Sequence, residues 1–290
     1  MTKILLLGAS GMLGSAIANE LSKSTFEYFL SSRNDHFLFD AETDSLEALL
    51  SEFPLGAEDY VINCIGIVKS KISNYSPESV GKAIRVNSFF PWILGDLASK
   101  LGFRVIMPAT DCVFSGRDGS YMENDPHDAH DIYGKTKSLG ESLAPNTMHL
   151  RASLIGPELG KSSLLFEWVR RQSQGAEISG FTNHLWNGIT SFLFAEIALG
   201  VIQDNNYRCG VQHLVPSGTC SKHDLIQQLL GHLGRNDVIL KSIATETPVD
   251  RTLGTLDPGF NSLLFKSAGY ADIPSISESV GMMFHSFEKS

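Results

Sequence analysis

Residues Ile4, Leu5, Leu6 and Leu7 are apolar without a break, the pattern of a strand buried on both faces of a parallel sheet. The run stops at Gly8, and from Ile17 and Leu21 the apolar positions take up helical spacing. Apolar runs over residues 26–30, 59–65 and 103–107 predict three further strands. Ser76 followed by Pro77 predicts a helix start, with Val80, Ile84, Asn87, Pro91, Leu94 and Ala98 along one stripe. Asn87 is polar on that apolar face, so its amide is expected to satisfy a buried backbone group, and Pro91 to free a carbonyl nearby. Beyond Arg151 the pattern is less regular. Residues 162–172, 189–202, 221–233 and 276–287 have helical spacing, and 180–188 reads as a loop rich in aromatic and amide groups.

Strands alternating with helices predict an α/β fold: a Rossmann-type doubly wound parallel sheet over residues 1–155. A smaller α/β substrate-binding lobe is expected over 156–290, with part of it returning to the sheet. Between the first strand and the first helix lies Gly8-Ala9-Ser10-Gly11-Met12-Leu13-Gly14. In this position Gly8 permits the tight turn, Gly11 lets backbone approach a pyrophosphate, and Gly14 lets helix and strand lie close. The helix start, with Ser10, Met12 and Leu13 around it, then offers N–H groups and a positive dipole end to phosphates. After the second strand comes Ser31-Ser32-Arg33-Asn34, where a carboxylate for a ribose 2′-OH would stand in NAD sites. Serines and an arginine suit a 2′-phosphate, so NADP(H) is the preferred cofactor. NAD(H) stays open through Asp35 or Asp40. Asn63, Cys64 and Gly66, at the end of the third strand, are expected to border the dinucleotide.

The densest chemistry lies between Thr110 and Lys137. Tyr133 and Lys137 are four residues apart and share a helical face. A nearby ammonium lowers a phenol's pKa, and such a tyrosine can protonate a carbonyl oxygen as hydride reaches its carbon. Thr110 is placed to give that oxygen a second hydrogen bond. The intervening loop contains His127 and His130 without the helical context of a zinc motif, so no metal site is expected and His130 is assigned to substrate.

Composition narrows the partners. Hydrophobic residues make up 42% and charged ones 19%, as in an ordinary globular protein. The net charge of -9 argues against a nucleic acid polymer as partner. Cys64, Cys112, Cys209 and Cys220 lack CxxC spacing, which suits reduced thiols. The N-terminal apolar run is too short for a signal segment or membrane span, so no membrane partner and a cytoplasmic location are expected.

The glycine fingerprint, Thr110-Asp111-x-Val113-Phe114-x-Gly116, Tyr133-Gly134-x-x-Lys137 with Gly140-Glu141, and Leu150-Arg151 match a known pattern in order and spacing. Together they resemble the extended short-chain dehydrogenase/reductases, most nearly the dTDP-4-dehydrorhamnose reductase group. The resemblance implies a catalytic trio of Thr110, Tyr133 and Lys137, a nicotinamide cofactor, and a sugar nucleotide between two lobes. It places substrate contacts at Asp111, Cys112 and Val113 and around Trp186, Asn187 and Arg251, the last facing a pyrophosphate. A homodimer is the assembly considered. Cys112 stands where the group usually has an aromatic residue, and Leu154 where it often has tryptophan. A related keto sugar is therefore expected rather than rhamnose synthesis itself. The alternatives are a non-catalytic NADP-binding regulatory subunit, or an epimerase or dehydratase; a dehydratase would carry a second acid where Cys112 stands.

Overall fold

The computed structural model describes residues 2–33, 37–141, 145–158 and 164–287. Strands β1 (Lys3–Leu7), β2 (Glu27–Ser32), β3 (Phe37–Leu38), β4 (Tyr60–Asn63), β5 (Arg104–Ala109) and β6 (Thr147–Arg151) form one parallel sheet with a seventh strand, Gly210–His213. From edge to edge the order is Gly210–His213, β6, β5, β4, β1, β2, β3. β1 pairs with β2 on one side and β4 on the other, so the winding reverses there and opens a crevice at the carboxyl ends of the strands.

Alternation along each strand feeds two cores. Ile4 and Leu6 pack with Tyr60, Ile62 and Ile106 under the helices Met12–Lys23 and Ser191–Gln203. Leu5 and Leu7 pack on the opposite face with Val61, Val105 and residues of Leu46–Glu52 and Phe90–Leu101. The four apolar side chains of β1, Ile4 to Leu7, are buried, each contributing about 1.5–3 kcal/mol of transfer free energy. The continuous apolar run is thus the mark of a strand covered on both faces.

Several boundaries differ from the predicted ones for local reasons. The strand expected over 59–65 stops at Asn63, whose Oδ1 accepts from the Ile65 N–H at 3.0 Å and turns the chain. β2 continues through Ser31 and Ser32, which pair with Phe37 and Leu38. The helix expected from 189 begins at Ser191, capped by Thr190, because Ile189–Thr190 pairs as a strand with Leu154–Ile155. The start of the helix expected from 162 lies outside the described residues; its remainder is Leu165–Arg170.

Residues 180–188 are not a loop. Glu177–Phe181 pairs with Ile239–Ile243, and His184–Trp186 lies between Cys220–Ser221 and Val249–Asp250. These strands and the helices Lys222–His232 and Ile276–Phe287 build the second lobe around Ile178, Trp186, Leu225 and Phe284. Residues 191–213 and the helix Pro258–Ser267 pack into the main sheet's core, so the two lobes interleave along the chain. Among the described residues, no helix is long and apolar enough to cross a membrane.

Candidate active site

Gly8 ends β1 with φ of 81°, a left-handed conformation, and its N–H donates to the Ser31 carbonyl at 2.8 Å. A Cβ at Gly14 would overlap the Gly8 carbonyl and lie 2.9 Å from Ala9 Cα, so only glycine lets the helix Met12–Lys23 seat against the turn. Gly11 is the extended N-cap, and no side chain caps that helix. Ser10 and Gly11 are exposed, leaving the first-turn N–H groups open to an anion. Leu13 points into the core and has only its backbone N–H to offer.

At the end of β2 both serines are buried. Ser31 Oγ donates to the Phe37 carbonyl at 2.9 Å. Arg33 is exposed beside them; Asn34 and Asp35 lie outside the described residues.

Beyond β4, Asn63 and Lys137 line one small cavity with Pro108, Gly140 and Glu141. Burial pushes the neighbouring Cys64 thiol up to about 12, keeping it protonated. Gly66 is exposed, and the next residue is clasped by Asn87: Ile67 N–H donates to Oδ1 at 2.7 Å, and Nδ2 donates to the Ile67 carbonyl at 3.0 Å. Asn87 Nδ2 also reaches Thr136 Oγ1 at 3.3 Å. The expectation for Asn87 is therefore met, with the addition that it ties this loop to the helix bearing Tyr133. Asn87 sits in a π-helical turn, Arg85–Phe89, four residues before Pro91. Proline cannot donate to the Asn87 carbonyl, which is left facing Gly140 so closely that a Cβ there would overlap it.

β5 delivers Thr110, whose Oγ1 accepts from the Cys112 N–H at 3.2 Å. Tyr133 comes from the helix Ile132–Leu139, capped by Asp131, which accepts from the Gly134 N–H at 2.9 Å. Asp131 also holds Lys69 at 2.8 Å, anchoring the loop after β4 to this helix start. Gly134 lets the helix close onto the Cys112 carbonyl, which brings the Tyr133 phenol near the Thr110 side chain. Burial dominates the phenol and raises its pKa; Cys112 and Asp111 push the same way, and the Thr110 side chain opposes them. This corrects the expectation of a phenol lowered by Lys137, which is not among the largest influences on Tyr133. Lys137 instead donates to the Pro108 carbonyl at 3.4 Å, and burial lowers its pKa against the pull of Glu141. Spacing on one helical face does not set the electrostatics when desolvation is larger.

The substrate-side residues divide. Asp111 is buried beside Thr110, to which it is hydrogen-bonded at 3.3 Å, and Cys112 follows, its thiol pushed up to about 12 mainly by burial. Arg251 donates from Nε to the Phe114 carbonyl at 2.9 Å and packs against Gly116. His130 is exposed. Three others are buried. Val113 is fully buried with Phe114, Tyr121 and Leu253. Trp186 belongs to the second lobe's core. Asn187 is buried and clips the Leu253 backbone, accepting from its N–H at 2.9 Å and donating to its carbonyl at 2.7 Å. Aromatic and amide composition does not reveal which way such side chains face.

Sequence reasoning missed the polar cluster behind this stretch. Arg151, fully buried at the end of β6, pairs with Glu141 and hydrogen-bonds His213 Nε2 at 2.7 Å and His127 Nε2 at 2.9 Å. Its guanidinium lies 5.1 Å from the Phe114 ring centroid. His127 Nδ1 also meets Ser138 Oγ at 2.8 Å, one residue beyond Lys137. His127 is thus bound within the protein, and no cluster of three metal-ligating side chains occurs among the described residues. The signal in the sequence was a histidine and an arginine inside otherwise strand-like residues 147–151.

The RmlD substrate binding domain model matches residues 1–253. The spore coat polysaccharide biosynthesis protein SpsK of Bacillus subtilis is 24% identical over 257 residues, 87% of this chain and 86% of that protein. A dTDP-4-dehydrorhamnose reductase of Clostridium acetobutylicum superimposes with a TM-score of 0.77 at 23% identity, covering 99% of this chain and 100% of that one. The Bacillus anthracis enzyme of that name, solved with NADP, gives a TM-score of 0.77 at 19% identity with the same coverage. MoeE5, solved with UDP-glucose and NAD, gives 0.75 at 16% identity, covering 99% of each chain.

Proposed function

The chain belongs to the RmlD substrate-binding family, and we propose that it is an NAD(P)H-dependent reductase of a keto sugar nucleotide in which Tyr133 is the proton donor. The observation that carries this reading is that the helix bearing Tyr133 and Lys137 closes onto the Cys112 backbone beside Thr110, at the carboxyl end of β5 and two strands from the Gly8–Gly14 turn in the same parallel sheet.

The turn fits a dinucleotide's diphosphate: its glycines allow close approach, and the helix it opens has no side-chain cap. A reduced nicotinamide held there by the turn and the helix start would supply hydride to the sugar carbonyl carbon. Thr110 and Tyr133 both hydrogen-bond the carbonyl oxygen, and the phenol proton passes to that oxygen as charge develops. A raised phenol pKa keeps this proton in place at neutral pH until charge develops on the carbonyl oxygen. Lys137, held at the Pro108 carbonyl one helical turn from Tyr133, would hold the nicotinamide ribose. Arg251, anchored through Nε, turns its remaining N–H groups to the diphosphate of the sugar nucleotide.

Arg33, exposed just past the end of β2, is assigned to a 2′-phosphate, so Arg33→Ala should lower the preference for NADPH over NADH. The test of the function is cofactor oxidation followed at 340 nm with a panel of 4-keto dTDP- and UDP-sugars. Oxidation with at least one is expected; none with any of them would overturn the proposal.

A further inference from the structure

One cation at the edge of the second lobe has no part in the chemistry above. Lys222 is the first residue of the helix Lys222–His232 and follows strand Cys220–Ser221, in which Cys220 pairs with Trp186. Val249–Asp250 lies on the other side of His184–Trp186, so one small sheet brings Lys222, Trp186 and Arg251 together. The ammonium is 5.1 Å from the Trp186 ring centroid. Arg251 in turn rests on Gly116, where a Cβ would lie 2.9 Å from its Cγ. Lys222 therefore sits where the second lobe meets the stretch that follows Thr110.

Its surroundings do not neutralise it. Among the described residues the ammonium has no hydrogen-bond or ion-pair partner. Asp111 is close enough to act on its charge, yet Asp111 takes the Thr110 hydroxyl as its hydrogen-bond donor. Arg251 adds a like charge, and both cations bear on His184. In a chain with a net charge of -9, two neighbouring cations with unused donors favour an anionic occupant. A desolvated ammonium without a hydrogen-bond acceptor is costly, and a ligand oxyanion removes that cost.

We propose that Lys222 is a specificity-determining residue whose ammonium takes an oxyanion of the sugar nucleotide, either the diphosphate beside Arg251 or a carboxylate on the sugar beside Thr110. This rests on the nucleotide-sugar reading above. The test is calorimetric titration of the NADPH-loaded wild type, Lys222→Met and Lys222→Arg with UDP, UDP-glucose, dTDP-glucose and UDP-glucuronate. Lys222→Met should weaken binding about tenfold or more, with Lys222→Arg retaining most of the affinity and NADPH binding unchanged. Equal weakening for UDP and UDP-glucuronate assigns the oxyanion to the diphosphate; weakening confined to UDP-glucuronate assigns it to a sugar carboxylate. Unchanged affinity for every ligand overturns the role of Lys222. Arg251→Ala separates the two levels: if it weakens binding while Lys222→Met does not, only the Lys222 assignment fails. If the wild type binds none of these ligands, the nucleotide-sugar reading fails.

Discussion

Arg151→Met should cost far more stability than a surface arginine would. The wild-type guanidinium has no solvent exposure, and its partner Glu141 has a side chain only 8% exposed. Nε and Nη2 face the Glu141 carboxylate, Nη1 meets His213, and Nη2 also meets His127. Methionine keeps much of the packing against Phe114 but leaves a buried carboxylate without its cation, for an expected loss of about 3–5 kcal/mol. Replacing both partners tests the cause. In Arg151→Met/Glu141→Leu the stranded charge is gone, and stability should return to within about 1 kcal/mol of wild type. Urea unfolding at neutral pH, with equal m-values checked across the variants, measures both quantities. A single variant losing less than about 1 kcal/mol, or a double variant losing the sum of the two singles, would refute the reasoning.

Other consequences are equally specific. Gly14→Ala should destabilise the fold by roughly 1–3 kcal/mol and weaken dinucleotide binding, because its Cβ meets backbone of Gly8 and Ala9. Gly11→Ala should leave thermal stability nearly intact, since the nearest atom to its Cβ is 3.6 Å away, but should weaken the dinucleotide about tenfold or more by blocking its approach. Thermal melts and fluorescence titration with NADPH check both. Buried His213 has its pKa lowered to about 4, first by burial and then by the Arg151 cation. The unfolded chain therefore binds this proton first, and the His213 contribution, complete above the unfolded value of about 6.5, is lost as pH falls from there towards 4. That loss amounts to roughly 3 kcal/mol and should shrink in His213→Gln when unfolding is followed across this range.

What could be read from the sequence depended on whether buried positions were apolar. β1 and the glycine turn were legible because four buried aliphatic residues precede glycines whose spacing has a steric purpose. The Ser76–Pro77 helix start was legible through local capping: Ser76 Oγ accepts from the Ser79 N–H at 3.3 Å. By contrast, β6 and Gly210–His213 carry His149, Arg151, Gln212 and His213 as buried residues. Arg151 and His213 satisfy each other across 62 residues of chain, and buried polar side chains of this kind leave no apolar run to announce these strands. The same limit applied to the site. Thr110, Tyr133 and Lys137 were identifiable by type and spacing, whereas the burial that raises the phenol's pKa comes from tertiary packing. Lys222 gave no signal at all, because its place beside Trp186 depends on strand pairing across distant segments.

The most direct test of the account is single-turnover reduction by Tyr133→Phe, measured beside wild type with NADPH and whichever keto sugar nucleotide the wild type turns over. Loss of the phenol should slow the chemical step by about 10²–10⁴-fold while NADPH affinity stays close to wild type. A Tyr133→Phe enzyme that reduces the sugar at the wild-type rate would contradict the assignment of this hydroxyl as the proton donor.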